Sequence, residues 1–364
     1  MQTLQTLEME YYYNSAGEPI AEVQSLGNCY TRNIFFMLKR YVNDSSVLYK
    51  MFLDDFNLKL VTHTDSDQFE LSLNEIKDPE NYITVANKHT FSNNAEAAIQ
   101  TIETLLANNE VVFVNTLMKR VPFYRTFELN PALETDHIVD GHIFLILGQT
   151  ATDFYFLDNY INYNKEYFKP YPHNKNIGQD AKTSFMDAYN RQFFCFTVHP
   201  NQDELAELPA RASLILRTAL SNYYKPPSCT ERRLEYIGRS AIQELNNLFA
   251  SGRFILNTKI SNRPHDLYSL TRTTLTRHSD RKKVLLLLLN SLANPNALSD
   301  VIHCARKSIE QWELLRNVMT RQYIMNEFTL TDQMEEYMAY VLHAEDLFYH
   351  SIEKTSIIYA KYRI

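Results

Sequence analysis

Apolar positions recur at helical spacing early in the chain. In "CYTRNIFFMLKRY", Tyr30, Ile34, Met37, Leu38 and Tyr41 fall on one stripe, with Asn28 placed to cap the helix. The segment "NAEAAIQTIETLLANNE" predicts a second amphipathic helix, ending in Asn-Asn. The pattern then shortens. "VVFVNTL" from Val111 predicts a buried strand, and "HIFLILG" and "DFYFLDN" flank "QTAT" as the arms of a hairpin. "RQFFCFTVHP" predicts a further strand closed by Pro200. Beyond it the helical period takes over, in "NQDELAELPARASLILRTALSNYY", "CTERRLEYIGRSAIQELNNLFA", "LSDVIHCARKSIEQWELLRNVMTRQYIM" and "TDQMEEYMAYVLHAEDLFYHSIEK". "YKPPSCT" reads as a loop between helices, with Ser or Thr as a cap. The pattern predicts an α+β chain: a mixed domain over residues 1–200 and a mostly helical domain over 201–364.

Composition agrees with two domains, because 364 residues exceed what one hydrophobic core usually serves. With 45% hydrophobic and 22% charged residues, the chain is expected to be an ordinary soluble globular protein. A net charge of −7 provides no basic surface for nucleic acid. Only 7 glycines occur, and neither GxGxxG nor GxxxxGK[ST] is present, so no nucleotide cofactor is expected. The four cysteines are far apart and form no CxxC pair, which argues against a zinc ribbon and a disulfide framework. "MQTLQTLEMEYYYN" lacks the basic and apolar regions of a secretory signal; its Tyr-rich part suits an edge strand or a lid equally. The longest aliphatic run, Val284–Leu289, is too short to span a bilayer. A reducing, cytoplasmic setting without membrane association is the expectation.

The candidate chemistry starts at "SLGNCYTRNIFFMLKRY". Cys29 stands where a helix should begin, and free N–H groups at a helix start favour a thiolate. A nucleophilic Cys needs a base and a group that orients the base. If the hairpin turns near Thr150, His142 and Asp158 oppose each other, on one face and about 5 Å apart. That gives the parts of a Cys–His–Asp triad. Rivals exist: His137 for the base and Asp153 for the orienter, although Asp153 sits where turn chemistry suffices. His137, Asp140 and His142 could also suggest a metal, but no further ligand is evident and none is expected. Cys195 and Cys304 lie in apolar periodic patterns and read as core, with His303 on a different helix face from Cys304. Cys229 reads as loop or cap. Trp312 reads as core packing.

This order of motifs resembles the papain-like cysteine enzymes, and within them two groups. "NCYTRNIFFMLKRY", "VVFVNTLMKRVPFYRTFE" and "DGHIFLILGQTATDFYFLDNY" are similar to the butirosin biosynthesis protein H family over roughly residues 20–200. The peptidase domains of bacteriocin exporters are the other group, but they favour Asp-Cys-Gly and Asp-Pro where this chain has Asn28-Cys29-Tyr30 and Asp158-Asn159. The resemblance to the first group implies an acyltransferase of secondary-metabolite biosynthesis. Such an enzyme moves an acyl group from a carrier-protein thioester to an amine through a cysteine thioester. Carried over by position, Cys29 would be the nucleophile, His142 the base and Asp158 the orienter. Papain-like enzymes place an oxyanion Gln some six residues before the Cys; here Gln24 lies five before it. No cofactor is implied. "TRTTLTRHSDRKK", a solvated loop or helix end with Arg272, Arg277, Arg281, Lys282 and Lys283, is a candidate docking patch for an acidic acyl carrier protein. Two other readings stay open: a cysteine peptidase or amidase using the same triad, and a noncatalytic module that binds a peptide or carrier protein.

Overall fold

In a computed structural model the chain is described over residues 29–38, 41–42, 45–53, 55–64, 68–74, 79–92, 94–117, 141–157, 170–171, 174–185, 193–207, 211–259, 266–291, 298–329 and 332–362. It mixes helix and sheet and divides into two compact units, residues 1–45 with 79–206 and residues 46–78 with 207–364. The sequence reading set one boundary at 200. The structure differs in assigning 46–78 to the later unit, because the first of that segment's two strands, itself paired with the second, pairs with a strand formed after residue 230.

In the first unit, strands β3 (Ile83–Phe91), β4 (Val112–Leu117), β5 (Gly141–Gln149), β6 (Asp153–Leu157), β7 (Pro170–Tyr171), β8 (Asn174–Ala181) and β9 (Phe193–Pro200) form one sheet. Its order is β3-β9-β4-β5-β6-β8-β7 and every pairing is antiparallel. Alternation along the strands gives the sheet two faces. One face presents Val112, Val114, Phe144, Ile146, Phe156 and Cys195 to helix α2 (Ala95–Ala107), which inserts Ala98, Ile102, Leu105 and Leu106. Phe185 sits among Phe144, Phe154 and Phe156, with ring centroids 6.0–6.1 Å away, adding aromatic contact energy to the burial. Helix α2 has the ends that its sequence specifies. Asn94 accepts from the Ala97 N–H at 3.0 Å, and Asn109 adopts the left-handed φ of 65° that Asn tolerates.

Helix α1 (Cys29–Leu38) is buried continuously from Asn33 to Leu38, including Phe35 and Phe36. It is therefore covered nearly all round, not along the single stripe expected, while Tyr41 beyond it is 45% exposed.

The second unit holds a four-stranded antiparallel sheet of β10 (Ser228–Thr230), β11 (Arg233–Ile237), β1 (Leu58–His63) and β2 (Phe69–Leu73), in that order. These strands correct the helical reading of "CTERRLEYI" and the loop reading of "YKPPSCT": Cys229 lies on exposed strand β10. Helix α3 (Gln202–Glu207) ends the first unit, α4 (Arg211–Tyr223) precedes β10, and α5 (Arg239–Ala250), α6 (Leu267–Ser291), α7 (Ser299–Ile324) and α8 (Asp332–Tyr362) follow β11. The basic stretch "TRTTLTRHSDRKK" is interior to α6, not a loop or helix end. Between β11 and α5 stands Gly238, at φ 60°, where a Cβ would lie 2.4 Å from the Tyr223 backbone. Glycine alone satisfies both constraints.

Asp55 fastens segment 46–78 into this unit. Its carboxylate is 1% exposed and accepts from the Asn57 N–H (2.9 Å) and from the side-chain amides of Asn57, Asn74 and Asn222 (each 2.6 Å). Asn57 in turn donates to the Ala219 carbonyl and accepts from the Tyr349 hydroxyl. Burial pushes the Asp55 carboxyl up, against the pull of these four donors.

Candidate active site

Cys29 is the first described residue of helix α1 and is half-buried. Asn33, one turn further along the same side of the helix, is fully buried, and its Nδ2 donates to the Ile143 carbonyl at 2.8 Å. This hydrogen bond fixes α1 against the start of β5, beside His142. The sequence gives Asn33 away only as an amide in a helix whose neighbours are apolar, a position that requires a partner when buried.

His142 is the second residue of β5 and is 3% exposed. Its ring stacks on Phe144 two residues on, with centroids 6.4 Å apart and planes at 21°. Strand alternation thus places His142 with Phe144 and Ile146 on the α2 face. Tyr30, next to Cys29, meets Phe196 at 6.2 Å. Phe196 pairs with Phe113, which pairs with Leu145, so these three share the opposite face.

The hairpin register differs from the one assumed for His142 and Asp158. A turn at Thr150 would set Leu145 opposite Tyr155, but Leu145 faces Leu157 and Ile146 faces Phe156. The cause is the turn: the loop is centred on Ala151 and Thr152, which shifts the pairing by three positions, and a bulge between Ile146 and Gly148, an extra residue in β5, takes one of them back. Asp153 is turn chemistry, as read, with Oδ2 accepting from Thr152 Oγ1 at 2.6 Å and Thr150 Oγ1 at 3.2 Å. Asp158, Gln24, Asn28, His137 and Asp140 lie outside the described residues. So does the Tyr-rich start of the chain.

Cys195 is core, 0% exposed, and burial pushes its thiol up to about 12, far from a nucleophile's range. Cys304 corrects the core reading. It is half-buried and lines a groove of ≈ 420 Å³ with His303, Leu314, Tyr340 and Leu347. None of the four cysteines is in a disulfide. Among the described residues no group of three or more His, Cys, Asp or Glu could hold a metal ion, and no helix is long and apolar enough to cross a membrane.

The docking patch on α6 also needs correction. Arg277 is exposed, but Lys282 is 0% exposed and faces inward. Lys283 is held by Glu313 at 2.7 Å and lies 3.5 Å from Asp280. Lys282 instead donates to Ser308 Oγ at 2.6 Å and to Glu345 Oε1, an oxygen that also accepts from Ser308 Oγ and Trp312 Nε1. Trp312 is core, as read, with the added task of holding this carboxylate. The cluster was legible only as spacing: His278 to Lys282 and Ser308 to Trp312 are each one helical turn.

Comparison with protein-family models and with curated proteins finds no match.

Proposed function

We propose that the first unit is a papain-like cysteine acyltransferase with Cys29 as nucleophile, His142 as base, Asp158 as orienter and Gln24 as oxyanion donor. The observation that carries this reading is the Asn33–Ile143 hydrogen bond, which fixes the Cys29 helix at the start of the His142 strand. In the first step Cys29 sulfur attacks the thioester carbonyl. His142 takes the thiol proton and returns it to the departing carrier thiolate as the old C–S bond breaks. In the second step an amine attacks the acyl-Cys29 carbonyl. The amine loses a proton to His142, and Cys29 leaves with that proton as the amide forms. Asp158 fixes the imidazole tautomer throughout. The donor is a carrier-protein thioester of secondary-metabolite biosynthesis. Of the basic residues considered for docking, Arg272 and Arg277 are the exposed candidates and Lys282 takes no part. A reducing compartment such as the cytoplasm suits a Cys29 thiol outside any disulfide.

One observation favours a noncatalytic carrier- or peptide-binding module instead. Alternation places His142 with Phe144 on the face opposite Phe196, which Tyr30 meets. Iodoacetamide labelling with mass mapping, between pH 6 and 8, separates the two readings. The acyltransferase reading expects Cys29 to alkylate fastest of the four cysteines at pH 6 and to slow at least tenfold in His142→Ala. Equal rates in the two proteins would leave the binding module. With a reactive Cys29, a carrier-protein thioester offered with and without an amine distinguishes acyl transfer from hydrolysis.

A further inference from the structure

The centre of the second unit is ionic. His278 on α6 is 1% exposed, and among the described residues neither ring nitrogen makes a hydrogen bond of good geometry. Its Nε2 lies 3.7 Å from Glu345 Oε1, and its ring meets Trp312 edge-on at 4.9 Å. The charged groups that act on it are Lys282 from α6 itself and Glu345 from α8; Tyr349 of α8 and Tyr223 of α4 act on Glu345 in turn, and Asp55, from the segment before β1, acts on Tyr349. From α7 the neutral Ser308 and Trp312 bind the Glu345 carboxylate, while Arg316 donates to Thr276 Oγ1 at 3.3 Å and Glu313 pairs with Lys283 elsewhere on α6.

The charge count decides what acid does here. Lys282 already balances Glu345. A proton on His278 therefore leaves a net positive charge buried among three helices, one turn from a like charge. We propose that His278 makes the packing of α6, α7 and α8 an acid-sensitive latch, closed while the imidazole is neutral and released when it is protonated. Burial, then Lys282, hold His278 below its ordinary value of 6.5, with Glu345 and the Phe56 backbone opposing.

The sign follows from linkage. As pH falls, the unfolded chain takes up the proton first, so stability is full above about pH 6.5 and is lost below it. For one proton the loss is up to about tenfold in the folding constant per pH unit. Glu345 does not add to this window. Burial alone would raise it, but Lys282 and then His278 hold it well below the usual carboxylate range.

The test is urea unfolding of the full chain at pH 7.5 and pH 5.5, followed by the fluorescence of Trp312, the single Trp. The latch predicts that the wild-type folding constant falls by up to about tenfold between these values. His278→Phe, which keeps an aromatic ring against Trp312, should abolish most of that fall. His303→Gln and His343→Gln, at exposed positions of α7 and α8, should leave it in place. A flat wild type, or an unchanged fall in His278→Phe, overturns the proposal. Should His278→Phe not fold, the Cε1–H resonance of His278 in the native wild type decides. Its shift should stay that of a neutral ring until the unit unfolds, and titration near pH 6.5 in the folded protein would refute the latch.

Discussion

Gly178 shows how far one residue can constrain the sheet. It pairs with Phe156, whose ring lies over it so closely that a Cβ would sit 2.2 Å from Cζ. Gly178→Ala must therefore displace Phe156 from its contacts with Phe144 and Phe185. We expect a loss of about 1–3 kcal/mol, read as a lower urea midpoint at unchanged slope. Cys195 makes the opposite kind of prediction. Its buried thiol, pushed up to about 12, should resist iodoacetamide at pH 8 in the native protein and react once urea unfolds it. Peptide mapping of labelled protein measures both states. For Cys29 the sequence supplied the thiol and the helix, but not Asn33's bond to Ile143, since contacts over 110 residues have no local signature.

At the scale of elements, α6, α7 and α8 show why apolar periodicity alone gave an incomplete account. The pattern located α7 and α8, and burial of Trp312 and Met338 agrees with it, whereas the basic stretch inside α6 read as a loop or helix end. Nothing in the pattern announced that Lys282 and Glu345 face inward, because periodicity assigns charged residues to the solvent side. Breaking one partner of such a pair strands the other, so Glu345→Gln should cost about 3–5 kcal/mol. The Lys282→Met, Glu345→Gln double variant should cost less than the two single variants together, by about 0.5–3 kcal/mol in a double-mutant cycle of urea stabilities. Additive losses would show that the pair is not coupled. The β5–β6 hairpin teaches a related point. Both strands were legible, but the exact centre of the turn and the bulge at Leu147 were not, and the pairing slid by two positions.

For the whole molecule, the consequential feature is the pairing of β1 with both β2 and β11, which takes residues 46–78 into the second unit. Leu60, 0% exposed on β1, tests it. Leu60→Ala should destabilise by about 2–5 kcal/mol, and the loss should appear in the fluorescence of Trp312, which lies in the same unit. An unchanged Trp312 transition would place β1 with the first unit. The sequence by itself determined the mixed class, the helix at Cys29, the α2 helix with its Asn ends, the β5–β6 hairpin and the long helices α7 and α8. Each of these rests on contacts or propensities within about twenty residues, so periodicity, caps and turn residues record them. Tertiary structure alone decided the unit that β1 and β2 join, the face that His142 takes, the inward turn of Lys282 and the hub around Asp55. Those outcomes depend on which distant donors and strand edges meet once the chain closes, and a buried polar group reveals its partner only then.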